Sequence, residues 1–172
     1  MRIDKLYLQN FRCYDELKLE FDKNMTVIVG ENGKGKTAIL DALAISLEPY
    51  LRAFGCKGRN MGERDVRRIK DAGDESVTRI LRMKSKYPVT IKVEGENAGE
   101  TMTWSRELKS ERGRTTSNNA KELADYGKVL YEGINSVGDE KIVLPVLAYY
   151  GTSRMWNDSK LFNKSKKIDL PR

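Results

Sequence analysis

Histidine is missing altogether from this 172-residue chain. Its absence removes Ser-His-Asp and Cys-His catalysis and every zinc site that needs an imidazole. Cysteine is scarce. Cys13 and Cys56 are too few to make a zinc site alone. With no secretory leader in the first ten residues, they are expected to stay reduced. No apolar run approaches the roughly 18 residues of a membrane span, so no membrane partner is expected. Repeats, heptads and low-complexity tracts are also lacking, which excludes a solenoid and a long coiled coil. These absences leave a cytoplasmic globular protein as the expected class.

What is present is one core's worth of apolar residues, 39%, in a chain with 33% charged residues, net charge +7 and a sequence pI of about 9.3. The charge is uneven, with −1 over residues 1–50, +6 over 51–118 and +2 over 119–172. Arg64, Arg67 and Arg68, and Lys164, Lys166 and Lys167 in the tail, are candidates for salt-dependent contact with DNA or RNA phosphates. The alternative for all six is a solvated face. Tyr149, Tyr150 and Trp104 are expected in the core rather than stacked on bases.

Patterning along the chain alternates strand and helix. Residues 3–8 and 17–21 alternate as strands, and Asp22-Lys23-Asn24 reads as a tight turn after the second of them. The β-branched run Met25–Val29 predicts a fully buried strand. Ile39, Leu43 and Leu47 then recur at helical spacing, and Pro49 predicts an end near Ser46–Glu48. Residues 63–70 read as a short basic helix. Val89, Ile91 and Val93, then Met102 and Trp104, predict two strands of a hairpin-like pair. Thr116-Ser117 reads as the cap of a helix running to Ile134. Val143–Tyr150 predicts another buried strand, and 157–172 a polar basic tail.

Between the run at 25–29 and the helix lies Gly30-Glu31-Asn32-Gly33-Lys34-Gly35-Lys36-Thr37, a full match to G-x-x-x-x-G-K-[ST]. A chance match in a chain of this length is on the order of 1 in 200. Gly30, Gly33 and Gly35 permit a sharp exit and close approach of backbone to phosphate. The amides of Asn32, Gly33, Lys34, Gly35 and Ala38 are candidates for an anion nest at the helix N-terminus. Lys36 supplies an ammonium for the β- and γ-phosphates, and Thr37 a hydroxyl for Mg²⁺. The expected ligands are the phosphates of a nucleotide together with Mg²⁺; the family resemblance below implies that the nucleotide cofactor is ATP. The bland alternative is an ordinary strand–turn–helix link.

Asn32-Gly33 followed by Gly35-Lys36-Thr37 resembles the P-loop of ABC-type ATPases of the SMC, RecF and OLD group. Leu8-Gln9-Asn10-Phe11-Arg12 and Leu40-Asp41-Ala42-Leu43 are similar to that group's first strand and first helix. The resemblance is strongest over residues 1–51. It implies an α/β P-loop NTPase fold, an ABC-ATPase-like nucleotide-binding lobe with a mixed parallel and antiparallel sheet, and an Arg12 close to the nucleotide. The pieces Asp65–Arg68, Trp104–Glu107 and Leu147–Arg154 resemble the small ATPases of bacterial anti-phage modules of the Septu and retron-associated type. That likeness implies a nuclease partner and a homodimer closed by ATP-bound heads.

ABC-type hydrolysis also needs a glutamine after the P-loop, a Leu-Ser-Gly-Gly-like signature and an apolar strand ending in Asp-Glu. Gln9, the chain's one glutamine, precedes the loop, and 143–150 ends in Tyr149-Tyr150 followed by Gly151. Residues 1–156 are therefore expected to be the N-terminal lobe of an ATPase head, binding ATP–Mg²⁺ with little turnover alone. A GTPase fits less well, since Asn163-Lys164-Ser165-Lys166 fails the guanine pattern. A small kinase would need an arginine lid, which Arg64, Arg67 and Arg68 imitate. A module binding nucleic acid or protein, with a merely structural P-loop, is the competing class.

Overall fold

Period-two burial builds the first layer of the structure, a computed structural model that describes residues 1–70, 83–97, 99–136 and 142–151. In β1 (Arg2–Phe11), Leu6 and Leu8 bury while Lys5 and Gln9 face water. In β2 (Tyr14–Glu20), Leu17 and Leu19 are half-buried between exposed charges. The two pair antiparallel with Leu6 opposite Leu19 and Leu8 opposite Leu17.

Helix α1 (Lys36–Ser46) comes directly after the glycine-rich loop. It runs almost without a break into α2 (Glu48–Ala53). Pro49 sits in the first turn of α2, where its missing N–H has no partner to lose. A short 3-10 turn at Glu63–Asp65 leads to β3 (Arg68–Lys70), which pairs with β4 (Met83–Ser85) as a small separate ribbon. β5 (Val89–Asn97) and β6 (Glu100–Leu108) form a hairpin in which Ile91 faces Arg106 and Val93 faces Trp104. A second 3-10 turn, Asn118–Ala120, enters α3 (Lys121–Asn135).

The main sheet has the order β2-β1-β5-β6 and is antiparallel at every described pairing. Its covered face carries Leu6, Leu8, Val89, Ile91, Val93, Trp104 and Leu108. Ala38, Ile39, Ala42 and Ile45 of α1 pack onto it, a stripe at helical spacing. Each large aliphatic side chain buried there contributes about 1.5–3 kcal/mol. α3 closes against α2 at Gly127, where an added Cβ would lie 2.9 Å from Ala53 Cβ and 3.1 Å from the Tyr50 carbonyl oxygen.

Two β6 side chains pin the far end of α1, where helix carbonyls lack intrahelical partners. Trp104 Nε1 donates to the Ser46 carbonyl at 3.0 Å, and Arg106 Nη1 to the Ile45 carbonyl at 3.0 Å. Arg106 also reaches Asn60 Oδ1 at 2.6 Å and pairs with buried Glu48 at 3.0 Å. Burial pulls the Arg106 pKa below its ordinary value, against the opposing charge of Glu48. The helix next to the loop is therefore fixed to the sheet at its C-terminal end.

The α/β P-loop NTPase-like class holds, and so do the strands at 2–11, 14–20, 89–97 and 100–108, with Trp104 in the core at 2% exposure. The parallel part of the expected mixed sheet is not among the described pairings. Four local expectations are corrected. Met25–Val29 is not a strand, and Met25, Val27 and Val29 are 74%, 72% and 87% exposed. Residues 143–150 are likewise irregular, with Val143 and Val146 exposed, as are Tyr149 and Tyr150. The reason is common to both: β-branched composition favours a pleated, half-buried surface, and neither run has a strand neighbour among the described residues. Residues 63–70 form a single 3-10 turn and a strand instead of a basic helix. The last helix starts at Lys121 with no side-chain cap from Thr116 or Ser117. The tail at 157–172, with Lys164, Lys166 and Lys167, lies outside the described residues, as does Arg154. No described helix is long and apolar enough to cross a membrane.

Candidate functional site

The glycine-rich loop turns on two left-handed residues, Gly33 at φ +81° and Gly35 at φ +94°. Gly35 is demanded twice over. Its φ disfavours any side chain, and a Cβ there would sit 2.5 Å from both Cys13 Sγ and Tyr14 Oη. The loop therefore lies directly on the β1–β2 turn, and Tyr14 Oη donates to the Lys34 carbonyl at 3.3 Å. α1 starts at once: the Ala38 and Ile39 amides donate to the Gly35 carbonyl at 2.8 and 3.2 Å. The Lys36 ammonium folds back over the loop and donates to the carbonyls of Gly30 and Glu31, the latter at 2.7 Å. A cation is thus held at the mouth of a helix N-terminus, where anions are favoured. Asn32, Lys34 and Thr37 are exposed, Lys34 lies 3.9 Å from Glu31, and Ala38 is buried in the sheet contact. Thr37 stands in the first turn of α1 with its side chain exposed.

The β1–β2 turn is strained where it faces the loop. Asn10 (φ +52°) and Arg12 (φ +51°) are both left-handed, at roughly 1–2 kcal/mol each for an L-residue, less for Asn. The surroundings fix them. Phe11 is fully buried and bridges Val66, the Arg12 amide donates to the Asp65 carbonyl, and the Arg67 amide donates to the Asn10 carbonyl, both at 2.9 Å. Anchoring Phe11 inward turns Arg12 toward α1.

There Arg12 enters a cluster that the sequence pattern does not disclose. Its Nε and Nη2 donate to Asp65 Oδ1 at 3.0 and 2.9 Å, and its Nη1 lies 2.6 Å from Asp41 Oδ2. Arg59 copies the arrangement, with Nη2 at 2.8 Å from Asp65 Oδ1 and Nη1 at 3.2 Å from Asp41 Oδ2. Asp65 Oδ2 accepts the Gly62 amide at 3.0 Å, so both oxygens of this almost fully buried carboxylate are engaged. Tyr149 Oη donates to Asp41 Oδ1. Burial works against the charge on Arg12, but the Asp65 hydrogen bond and the Asp41 charge outweigh it and raise its pKa. Burial likewise pushes Asp41 upward, but the Tyr149 hydrogen bond and the charges of Arg12 and Arg59 win and lower it. Asp41 lies one helical turn after Thr37, on the same side of α1, so the cluster adjoins the loop.

The structure thus brings together Arg12, the loop glycines, Lys36 and Thr37. Sequence reasoning missed Asp41, Asp65, Arg59 and Tyr149 as a unit. One signal was available: Asp41 is an acid on the buried face of α1, between Ala38 and Ile45, and a buried acid demands a partner. Among the basic candidates, Arg67 donates to the Cys13 carbonyl and pairs with Asp15 at 3.4 Å, and Arg68 pairs with Glu63. Two of the three arginines are therefore already bonded within the chain, and Arg64 is exposed. Cys13, exposed, and Cys56 are free thiols.

A family model described as AAA domain matches residues 5–170. The DNA replication and repair protein RecF of Oceanobacillus iheyensis is 31% identical over 93 residues, 54% of this chain and 24% of that protein. The DNA double-strand break repair Rad50 ATPase of Thermococcus kodakarensis is 32% identical over 89 residues, 52% of this chain and 10% of that protein. Structural maintenance of chromosomes protein 6A of Arabidopsis thaliana is 31% identical over 139 residues, 72% of this chain and 12% of that protein. The chain spans a quarter or less of the length of these curated relatives.

Proposed function

The chain belongs to the AAA-domain family, and on that premise we propose that it is the P-loop lobe of a RecF-, Rad50- and SMC-like ATPase head, binding ATP with Mg²⁺. One observation carries the reading: the Lys36 ammonium sits over the Gly30–Gly35 loop at the N-terminus of α1, beside an Arg12 turned toward that helix by a strained turn. In this reading the amides of Asn32, Gly33 and Gly35 take the phosphate oxygens, while the Ala38 amide, expected in the same role, is engaged by the Gly35 carbonyl; Lys36 exchanges its two carbonyls for the β- and γ-phosphates. Arg12 adds a second charge, and Thr37 supplies the protein oxygen for Mg²⁺. Bound magnesium would neutralise phosphate charge. This chain's own part is to bind and orient the triphosphate.

The chain holds the P-loop side alone, so turnover and dimerisation belong to the completed head. There ATP acts as a switch that joins two heads. The exposed apolar runs at 25–29 and 143–150 support the lobe reading, since their strand-like composition meets no strand among the described residues. The finer part of the proposal is a cytoplasmic anti-phage role beside a nuclease. It is supported by the resemblance of Asp65–Arg68, Trp104–Glu107 and Leu147–Arg154 to such ATPases. DNA is the nucleic acid proposed for the complete protein, by analogy with relatives named for DNA repair.

Calorimetric titration with ATP and Mg²⁺ tests the core claim. Affinity that depends on Mg²⁺, that Lys36→Ala abolishes and that Thr37→Ala uncouples from the metal is the expected result. DNA affinity indifferent to both ATP and Lys36→Ala, with no ATP binding, would replace this reading by that of a binding module with a structural loop.

A further inference from the structure

Tyr149 stands 108 positions along the chain from Asp41, yet its hydroxyl donates to Asp41 Oδ1. Asp41 Oδ2 meanwhile receives Nη1 of both Arg12 and Arg59. One carboxylate therefore divides its work, with one oxygen fixed by a phenol and the other gripping two guanidinium groups. A carboxylate bonded through one oxygen turns easily about its last torsion, which is broad and soft. The phenol removes that freedom and so fixes the direction from which Oδ2 pulls on Arg12. Arg12 has five N–H donors. Asp41 and Asp65 engage one on each of its three nitrogens among the described residues, which leaves two for an incoming anion.

We infer that Tyr149 is a positioning residue: acting through Asp41, it sets the orientation in which Arg12 meets the phosphates of a bound nucleotide. The inference rests on the nucleotide reading above and extends it to the segment 142–151, which joins the site through this hydroxyl. The charged groups around the phenol are Asp41, Arg59 and Arg12, with Asp65 behind them. Burial first, then the Asp41 hydrogen bond and charge, push the Tyr149 pKa up to about 12. The phenol therefore keeps its proton to donate throughout the neutral range.

The test compares Mg²⁺–ATP affinities of the full chain, Tyr149→Phe, Asp41→Asn and the double variant. Tyr149→Phe leaves the ion pairs in place and removes the bond that orients them, so a weakening of roughly three- to tenfold, the net worth of an ordinary hydrogen bond, is expected. Asp41→Asn should weaken binding at least as much. Tyr149→Phe should add nothing in the Asp41→Asn background, because the effect passes through Asp41. Unchanged affinity in Tyr149→Phe, or losses that simply add, would overturn the relay. Tyrosinate absorbance gives a second readout that a merely structural contact elsewhere would not move. The phenol titrating near pH 12 should shift toward its ordinary 10.0 in Asp41→Asn, and an unshifted phenol refutes the relay. Wild-type chain with no ATP affinity sinks the nucleotide reading and the relay with it. Lys36-dependent affinity that ignores Tyr149→Phe sinks the relay alone.

Discussion

Asp65→Asn is the substitution whose consequence the structure defines best. Asp65 is 1% exposed. Its Oδ1 accepts three N–H groups from two arginines at 2.8–3.0 Å, and its Oδ2 accepts the Gly62 amide. Asparagine keeps the Oδ1 acceptor and the volume. It loses the charge, and it places an NH₂ against the Gly62 N–H, donor against donor. A charge-assisted hydrogen bond is worth about 1.5–3 kcal/mol, and a buried donor left unpaired costs about 1–3 kcal/mol. The arginine side chains are 23% and 40% exposed, so water recovers part of the first term. The expected loss is about 3 kcal/mol. For a chain of this size that corresponds to a fall in Tm of roughly 6–12 °C, at about 2–4 °C per kcal/mol. Urea and thermal unfolding followed by far-UV circular dichroism measure it. The strained Arg12 backbone hangs from the Asp65 carbonyl, so Mg²⁺–ATP affinity should fall as well. A loss below about 1 kcal/mol would refute the view that this carboxylate organises the cluster. So would an equal loss in an Arg59→Ala background, because a shared ion pair must couple.

Asp41 predicts an acid limb. Its folded pKa lies below the ordinary value, so its contribution is fully present above about pH 4 and disappears as pH falls through the lowered value. Unfolding free energies between about pH 5 and pH 2 should show a slope that Asp41→Asn flattens; an unaltered slope contradicts the ion pairs. Gly35→Ala must adopt φ +94° and push aside Cys13 and Tyr14, which costs about 1–2 kcal/mol for the backbone alone. Its sharper effect should be loss of ATP binding in a chain that still folds, and retained affinity would deny the loop its conformational demand. Gly95→Ala drives a methyl onto the Arg2 carbonyl oxygen where β1 and β5 shift register. It should destabilise by about 1–3 kcal/mol in urea unfolding, and a neutral result would mean that the shift in register relaxes freely.

The local physics of the chain was legible because it depends on near neighbours. The G-x-x-x-x-G-K-[ST] spacing dictated a loop with left-handed glycines ahead of a helix, and Gly33, Gly35 and Lys36 have that geometry. Alternation at 3–8, 17–21, 89–93 and 101–105 dictated four strands, which the fold extends to 2–11, 14–20, 89–97 and 100–108. Composition misled at Met25–Val29 and 143–150, because strand propensity is realised only where another strand lies alongside. The ionic cluster was decided by tertiary structure alone. Arg12, Asp41, Arg59, Asp65 and Tyr149 come from a turn, a helix, a loop, a 3-10 turn and an irregular segment. No periodicity links them, and each alone reads as a surface charge or an aromatic. Folding Phe11 inward turns Arg12 toward α1, and burying one face of α1 carries Asp41 to meet it. The loop was written in eight consecutive residues; its supporting charges exist as a site because a buried carboxylate must find cations wherever the fold brings them.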